Sequence, residues 1–481
     1  MIVLVNPAST PSAKKPLPMS LLALGALLEH EFEYTIVDGN LEPDVIGRVV
    51  AIAAQSAVVA IGVTVMPGPQ LRQAVPLSRA LKRRLPGVPI VWGGYFASQH
   101  ADTVLRDPAV DFCIRGQGEQ AFVSLMRQLR AGGSFDGIAG LSHRADGRVV
   151  HNALAPLIPL DTLPMWPYDR VAMTRYFHRH YLGNQVGTHH TSYGCPHGCS
   201  FCAVVGIANR RWVAESPGRV ESVLQLFKTR YGADAVQFHD MDFFISEPRT
   251  SEIAERIETL GMAWWALGRV DELMRYKAST WAAMKRSGLK MVFCGAESAS
   301  DATLKQMNKG GSATAEQTLQ LARRMKEFGI VPEFSFVVGH PPDPEGDLRQ
   351  TLEFIRKVKA LNAAAEIILY VYSPVTGAAT AFAFPETLDE WISDRWQSFS
   401  LRRDPRTPWA PPTVRQRVRN FETVLNAYYP TTTDTRLTPA RRKMLRALAA
   451  WRYHTRIERN PLELNALQRM FHYQRPETTG F

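Results

Sequence analysis

With 481 residues, the chain is longer than one hydrophobic core usually supports, so two or three domains are expected. Its 45% hydrophobic and 21% charged content is ordinary for a soluble globular protein. Five cysteines in this length argue against a disulfide scaffold, and no run of ~18 apolar residues argues for a membrane span. The net charge of +11 gathers at one end: residues 401–481 hold 16 Lys and Arg against 6 Asp and Glu, leaving the rest nearly neutral.

In chain order, residues 1–5 read as a buried first strand and not as a secretory leader, because the run lacks a basic flank and meets Asn6-Pro7 at once. The expected compartment is the cytoplasm. Helices predicted over 20–31, 42–55, 70–85 and 120–131 alternate with strands over 34–37, 57–63, 89–92 and 111–114. Asp38-Gly39-Asn40, Gly93-Gly94 and Gly116-Gln117-Gly118-Glu119 close three of these strands. Such a βαβ succession predicts a doubly wound, Rossmann-like parallel sheet with ligands outside the strands' carboxyl ends. Residues 151–185 carry Pro156, Pro159, Pro164 and Pro167 and read as a linker on the surface of the next domain.

A second βα series starts near Gly187. Strands over 235–239, 263–267, 290–294, 331–338 and 366–372 alternate with helices over 217–231, 249–260, 278–287, 314–329 and 348–361. Six strands fit a partial (β/α)6 barrel of the TIM type, with active residues at the strand ends on one face. From about residue 387 the pattern turns helical and basic, with Pro405, Pro408, Pro411 and Pro412. The expected organisation is an α/β domain over 1–150, a linker over 151–185, a core over 186–385 and a helical region over 386–481. The basic end could meet nucleic acid, an anionic lipid surface or an acidic substrate. A solvated helical face is the simpler reading, with Trp409, Tyr428, Tyr429, Trp451 and Tyr453 packing helices and not stacking on bases.

Three cysteines fall within eight residues, in Tyr193-Gly194-Cys195-Pro196-His197-Gly198-Cys199-Ser200-Phe201-Cys202. Clustered thiolates suit a soft centre, either zinc or an iron–sulfur cluster. Structural zinc takes four closed ligands, and no nearby second pair completes a finger. A cubane held by three cysteines leaves one iron open to a small-molecule chelate. Cys113 and Cys294 stand alone in apolar runs and read as small buried hydrophobes.

The C-x3-C-x2-C spacing, with Phe201 before the last cysteine, resembles the signature of the radical S-adenosylmethionine (SAM) family. The resemblance implies a [4Fe–4S] cluster on Cys195, Cys199 and Cys202, SAM on the open iron, and Phe201 near the adenine. Gly295-Ala296-Glu297-Ser298 is similar to the family's G-x-E-S segment, which implies that Glu297 and Ser298 meet ribose hydroxyls or the methionyl amine. Met307-Asn308-Lys309-Gly310 is similar to the turn that follows. Gly339-His340-Pro341 matches a G-x-P segment beside SAM. His239-Asp240-Met241-Asp242-Phe243 departs from D-D-x-F, since Met241 replaces the second acid, so no catalytic role follows for Asp242. Tyr372-Ser373-Pro374-Val375-Thr376-Gly377 is only loosely similar to the family's P-x-P-G-T ending.

Upstream, Asn6-Pro7, the helix start at Pro18, Asp38-Gly39-Asn40, Gly62, Trp92-Gly93-Gly94 and Arg115-Gly116-Gln117-Gly118-Glu119 resemble the cobalamin-binding domain fused to many radical SAM enzymes. By that resemblance Gly62, Gly93, Gly94, Gly118 and Glu119 approach the corrin. The D-x-H-x-x-G motif that supplies a histidine to cobalt is absent. The combined resemblance covers roughly residues 1–380 and implies a cobalamin-dependent C-methyltransferase of an unactivated carbon in a metabolite. Two alternatives stay open: a radical SAM oxidative cyclase or rearrangement enzyme, similar to tetrapyrrole cyclases, and an RNA-modifying or nucleic-acid-binding protein using the basic end. Expected partners are a small-molecule substrate and an external electron donor, with no stable nucleic-acid partner.

Overall fold

The computed structural model describes residues 1–9, 15–309, 312–373, 383–397, 411–431, 433–434 and 437–473. The N-terminal sheet opens with five parallel strands: β1 (Ile2–Asn6), β2 (Tyr34–Asp38), β3 (Ala60–Thr64), β4 (Ile90–Gly93) and β5 (Phe112–Ile114). Every residue of β1 is buried, as expected of a parallel strand covered on both faces. The covering helices are α1 (Met19–Leu28), α2 (Val45–Gln55), α3 (Pro69–Arg84), α4 (Tyr95–Gln99), α5 (Ala101–Leu105) and α6 (Glu119–Ala131). Helices α1 and α6 close one face, and α2 to α5 close the other. The spatial order β2-β1-β3-β4-β5 reverses direction between β1 and β3, the switch point where such sheets bind ligands.

The sheet is mixed, not purely parallel. After β5 an antiparallel hairpin, β6 (Leu141–Ala145) and β7 (Arg148–His151), extends the edge. Its turn is Asp146-Gly147, both with positive φ (48° and 73°), the pairing that a two-residue hairpin loop requires. Residues 151–185 hold only short 3-10 turns, and Tyr168, Met173 and Tyr176 anchor the segment by burial. Tyr176 Oη donates to Asp38 Oδ2 at 2.7 Å, and Tyr168 Oη pairs with His189 Nδ1 at 2.9 Å, so the segment bonds to both sheets.

The second sheet has six parallel strands in chain order, without closure of the last on the first. They are β8 (Val186–His189), β11 (Ala235–Phe238), β12 (Ala263–Arg269), β13 (Leu289–Glu297), β14 (Val331–Val338) and β15 (Glu366–Val371). A short antiparallel pair, β9 (Ser192–Gly194) and β10 (Trp212–Ala214), brackets the cysteine loop and the helix α7 (Val204–Ala208). Around the strands pack α8 (Pro217–Tyr231), α9 (Glu247–Ile257), α10 (Val270–Arg275), α11 (Ala278–Arg286), α12 (Asp301–Gln306), α13 (Ala315–Glu327) and α14 (Pro344–Leu361). Their starts are readable in the sequence. Ser216-Pro217 and Asp343-Pro344 each place a capping oxygen before a proline at the first helical position, and Thr314 with Gln317 forms a capping box. Cys113 and Cys294 are fully buried in β5 and β13.

After the barrel the chain returns to the first domain. Helices α15 (Leu388–Trp391) and α16 (Asp394–Gln397) bury Leu388, Trp391 and Trp396 in the core beneath α3 and α4. Trp391 meets Phe96 edge-on at 5.2 Å, and Arg79 forks onto Asp389 at 2.7 and 2.9 Å. Helix α17 (Pro412–Tyr428) then packs Val414, Val418 and Phe421 on the barrel, followed by α18 (Pro439–Thr455) and α19 (Leu462–Met470). Tyr428 and Tyr453 stack at 4.3 Å and Tyr429 meets Tyr453 edge-on at 5.4 Å, so these three pack helices as expected, whereas Trp451 is 51% exposed and does not; Trp409 lies outside the described residues. Among the described residues no helix is long and apolar enough to cross a membrane.

One buried cation in this packing has a measurable signature. Lys359 Nζ donates to Ala363 O and Ala365 O at 2.7 and 2.6 Å, and burial pushes its pKa down from 10.5 to about 7. Between those values the unfolded chain binds a proton that the folded chain does not, so stability rises with pH across that window, by up to ~1.4 kcal/mol per unit. The urea midpoint is expected to climb from pH 7 toward 10, and Lys359→Met to flatten that climb. An unchanged slope in the variant would contradict the assignment.

Candidate active site

The cysteine loop is pinned at its root by Asp240, at the end of β11. This buried carboxylate accepts from Thr191 N at 3.1 Å, from Thr191 Oγ1 at 2.8 Å and from Ser192 Oγ. Gly194 then turns at φ 82°, where a Cβ would stand 2.2 Å from Arg211 O, so only glycine lets β9 and β10 close. Further along, Gly198 O accepts from Asn308 Nδ2 at 2.8 Å and Ser200 N donates to Met307 O at 2.9 Å. The loop is thus fastened to the turn after α12 that the sequence marked; Gly310 of that turn lies outside the described residues.

Within the loop Cys199 is buried, while Cys195 and Cys202 are half-buried. Burial pushes the Cys195 thiol up to about 12 and the Cys202 thiol upward, each reinforced by negative neighbours. Two buried cations stand opposite. Arg269, ending β12, brings Nη1 to 3.4 Å from Cys199 Sγ and forks Nε and Nη2 onto Asp271, both at 3.0 Å. Lys309 Nζ contacts Glu297 Oε1 at 2.6 Å and lies 5.7 Å from the Phe201 ring. Against the cost of burial, their acidic partners hold both cations above their ordinary pKa range. Three soft thiols beside fixed positive charge make a donor set that fits an anionic iron–sulfur cluster.

Behind the loop His197 Nε2 sits 2.7 Å from Glu272 Oε1 and 4.0 Å from Asp242 Oδ2. Burial, then the facing Glu272, drives the Asp242 carboxyl well above the usual carboxylate range. A Cys195 sulfur, a His197 nitrogen and an Asp242 oxygen lie within 4.8 Å of one another. With His197 engaged by Glu272, this trio reads as the wall of the cysteine site and not as a second metal centre.

Lys309 brings Glu297 and Phe201 together at the cysteine loop. Glu297 closes β13 at φ 62°, a strained backbone for a non-glycine residue, next to a register shift at Gly295. Ser298 is buried and its Oγ accepts from Ser300 N at 3.1 Å, a local turn bond. Gly339 ends β14 at φ 80°, its N–H donating to Asp347 Oδ2 at 2.9 Å; a Cβ there would face Val414 and Val371. The segment at Pro374-Val375-Thr376-Gly377 lies outside the described residues.

Across from the loop stand the carboxyl ends of β4 and β5. Gln99 Nε2 donates to Ala203 O at 2.7 Å, and burial, then the Cys202 charge, raise the Tyr95 pKa. Gly94 sits at φ 88°, and a Cβ on Gly93 would meet only Ile114 Cβ, 4.0 Å away. Gly118 and Glu119 open α6; burial pushes the Glu119 carboxyl up, partly offset by the backbone N–H groups there. Tyr193 Oη, which senses the Glu119 charge, is buried without a hydrogen-bond partner among the described residues. A Cβ on Gly94 or Gly118 would instead press to 3.1 Å from Thr64 or Ile114, so the open backbone is that of Gly93; with the orphaned hydroxyl near Gly116, it fits the approach of a bulky cofactor. Gly62 is a correction to the strand-end expectation. It lies mid-strand in β3, where a Cβ would press to 3.1 Å from Leu4 and Phe122, so it serves packing of α6.

Arg269, Asp271, Glu272, Gln99 and Tyr95 escaped the sequence reading, where Tyr193 stood only at the head of the cysteine run. An Arg-x-Asp pair at the end of an apolar strand was the available signal for the first two.

Comparison with known proteins agrees with this geometry. Residues 190–355 match the Radical SAM superfamily and residues 11–126 the B12 binding domain. The uncharacterized methyltransferase PH0819 of Pyrococcus horikoshii is 29% identical over 366 residues, spanning 74% of this chain and 78% of that protein. The anaerobic magnesium-protoporphyrin IX monomethyl ester cyclase of Synechocystis sp. is 24% identical over 366 residues, spanning 73% and 71%. The solved structure of the radical S-adenosylmethionine methyltransferase TsrM from Kitasatospora setae, with cobalamin and a [4Fe–4S] cluster bound, has the same fold (TM-score 0.63, 19% identity, 76% of this chain and 71% of that one). The first family implies a [4Fe–4S] cluster and SAM, and the B12 binding domain implies cobalamin. With a B12 binding domain and a radical SAM domain in one chain, joined at the cysteine loop by the Gln99–Ala203 hydrogen bond, the protein is a cobalamin-binding radical SAM enzyme.

Proposed function

We propose that the enzyme is a cobalamin-dependent C-methyltransferase acting on an unactivated carbon of a metabolite. The observation that carries this reading is the contact of Gln99 with Ala203, which joins the glycine-bearing strand ends of the first sheet to the cysteine loop. A methyl donor and a radical source held on those two surfaces would share one substrate. The names of PH0819 and TsrM support the same reading.

In this reading Cys195, Cys199 and Cys202 hold the cluster. Phe201, Glu297, Ser298 and Gly339 border the SAM side, and Gly93, Gly94, Gly118 and Glu119 border the cobalamin side. When bound, these groups supply reductive cleavage of SAM to a 5′-deoxyadenosyl radical and methyl donation from cobalt. The chain's own work is placement and exclusion of water. Asp240 and Asn308 fix the loop, the buried Lys309 neutralises one oxygen of Glu297 and leaves the other for a hydroxyl, and the interdomain contact shields the reacting space.

The test is retention of hydroxocobalamin after anaerobic reconstitution with iron and sulfide. Corrin absorption is expected to stay with the protein through gel filtration, and Gly93→Leu to lose it while keeping the iron–sulfur spectrum. Corrin bands absent from the unmodified protein would refute cobalamin dependence. The Synechocystis relative favours a second reading, oxidative cyclisation. Once a substrate is known, a methylase forms S-adenosylhomocysteine and 5′-deoxyadenosine in similar amounts, whereas a cyclase forms only the latter.

A further inference from the structure

We propose that Arg269 sets the reduction potential of the iron–sulfur cluster through an N–H···S hydrogen bond to Cys199. This rests on the assignment of Cys195, Cys199 and Cys202 to that cluster.

The guanidinium has no freedom to do otherwise. Arg269 is buried at the end of β12, with Nε and Nη2 each 3.0 Å from the Asp271 carboxylate. Nη2 also donates to Lys309 O, and Asp271 is itself held by Ser312 Oγ at 2.9 Å. That leaves Nη1, aimed at Cys199 Sγ across 3.4 Å, a hydrogen-bonding distance for sulfur. Neither Cys195 nor Cys202 has a charged donor at such a distance among the described residues, so the effect enters the cluster at one corner.

The direction of the effect follows from charge. Reduction of the cluster by one electron, taken from an external donor, adds one negative charge without making or breaking a covalent bond. A donor on a ligating sulfur stabilises the reduced form more than the oxidised form and so raises the potential. Arginine stays protonated at any working pH, and its planar fork can serve Asp271 and a sulfur together, which a lysine cannot do. Asp271 opposes it: the carboxylate cancels much of the guanidinium charge and holds the potential down. Arg269 and Asp271 therefore act with opposite signs on the same quantity. A pair that merely held the loop would not.

The experiment is an EPR-monitored redox titration of the full chain, reconstituted anaerobically, with iron counted per chain. In Arg269→Leu, reduction is expected to become at least tenfold less favourable, ~59 mV more negative for a one-electron couple. Arg269→Lys should fall between the two, and Asp271→Asn should move the potential upward. Unchanged potentials at full iron content, or shifts of both residues in the same direction, would overturn the proposal. Should Arg269→Leu fail to hold iron, Asp271→Asn decides alone, and an unchanged or lowered potential there overturns it. Failure of the underlying assignment looks different: the triple Cys195/Cys199/Cys202→Ala protein would keep its iron and its EPR signal.

Discussion

Cys199→Ala is expected to leave a folded protein that carries no [4Fe–4S] cluster and does not cleave SAM. Cys199 is the buried member of the trio, and the loop around it is held by bonds that do not involve sulfur: Asp240 to Thr191, Asn308 to Gly198 and Ser200 to Met307. Removing the thiol therefore deletes a ligand without releasing the loop. Loss of one of three ligands to a cluster with an open iron leaves no stable cubane, and the reaction falls back by at least ~10⁶-fold, the low end of enzymatic rate enhancement. Iron analysis, the visible spectrum and 5′-deoxyadenosine release check this together. A variant with full iron and normal SAM cleavage would sink the assignment of Cys199.

The second large effect is on stability. Glu297→Ala strands the Lys309 ammonium in a buried site beside Arg269, with side chains of the original pair only 7% and 8% exposed. Breaking a buried pair on one side typically costs ~3–5 kcal/mol, because the remaining charge has no compensation. A clear fall in the urea midpoint of the cofactor-free protein is expected. Restoring neutrality by Glu297→Ala with Lys309→Met should recover most of it, since a well-packed apolar replacement of a buried pair is often close to neutral. If the single and double variants unfold at the same lowered midpoint, the stranded Lys309 charge is not the cause of the loss.

What could be read in advance follows from the range of each interaction. The cysteine spacing, the Ser216-Pro217 and Asp343-Pro344 helix starts, and the six-strand series depend on neighbours within a few residues, and they were legible. Glu297 and Gly339 were legible as strand ends because an apolar run stops there. Asp271, by contrast, falls between the predicted strand over 263–267 and the predicted helix over 278–287, where no predicted element marks it. Only the meeting of β12 with the cysteine loop, 70 residues apart for Arg269 and Cys199, turns the pair toward a thiol. The Asp146-Gly147 hairpin was hidden by a preceding parallel pattern, although its turn chemistry is explicit in the sequence. Gly62 misled for a steric reason. A glycine that accommodates Phe122 and a glycine that opens onto a ligand look identical until the neighbouring helix is in place.

The helices at 388–397 impose a rule on anyone who would build chimeras from this enzyme. Leu388, Trp391 and Trp396 complete a core whose other buried members come from the first 113 residues, across nearly three hundred positions of chain. A fragment cut after β7 would bare the apolar surface around Phe96 to water, and a graft of that fragment onto another barrel would carry the same defect. The part that can be exchanged between relatives is therefore discontinuous: the first sheet together with its distant clasp. During synthesis the same arrangement delays completion of the first core until most of the polypeptide has left the ribosome.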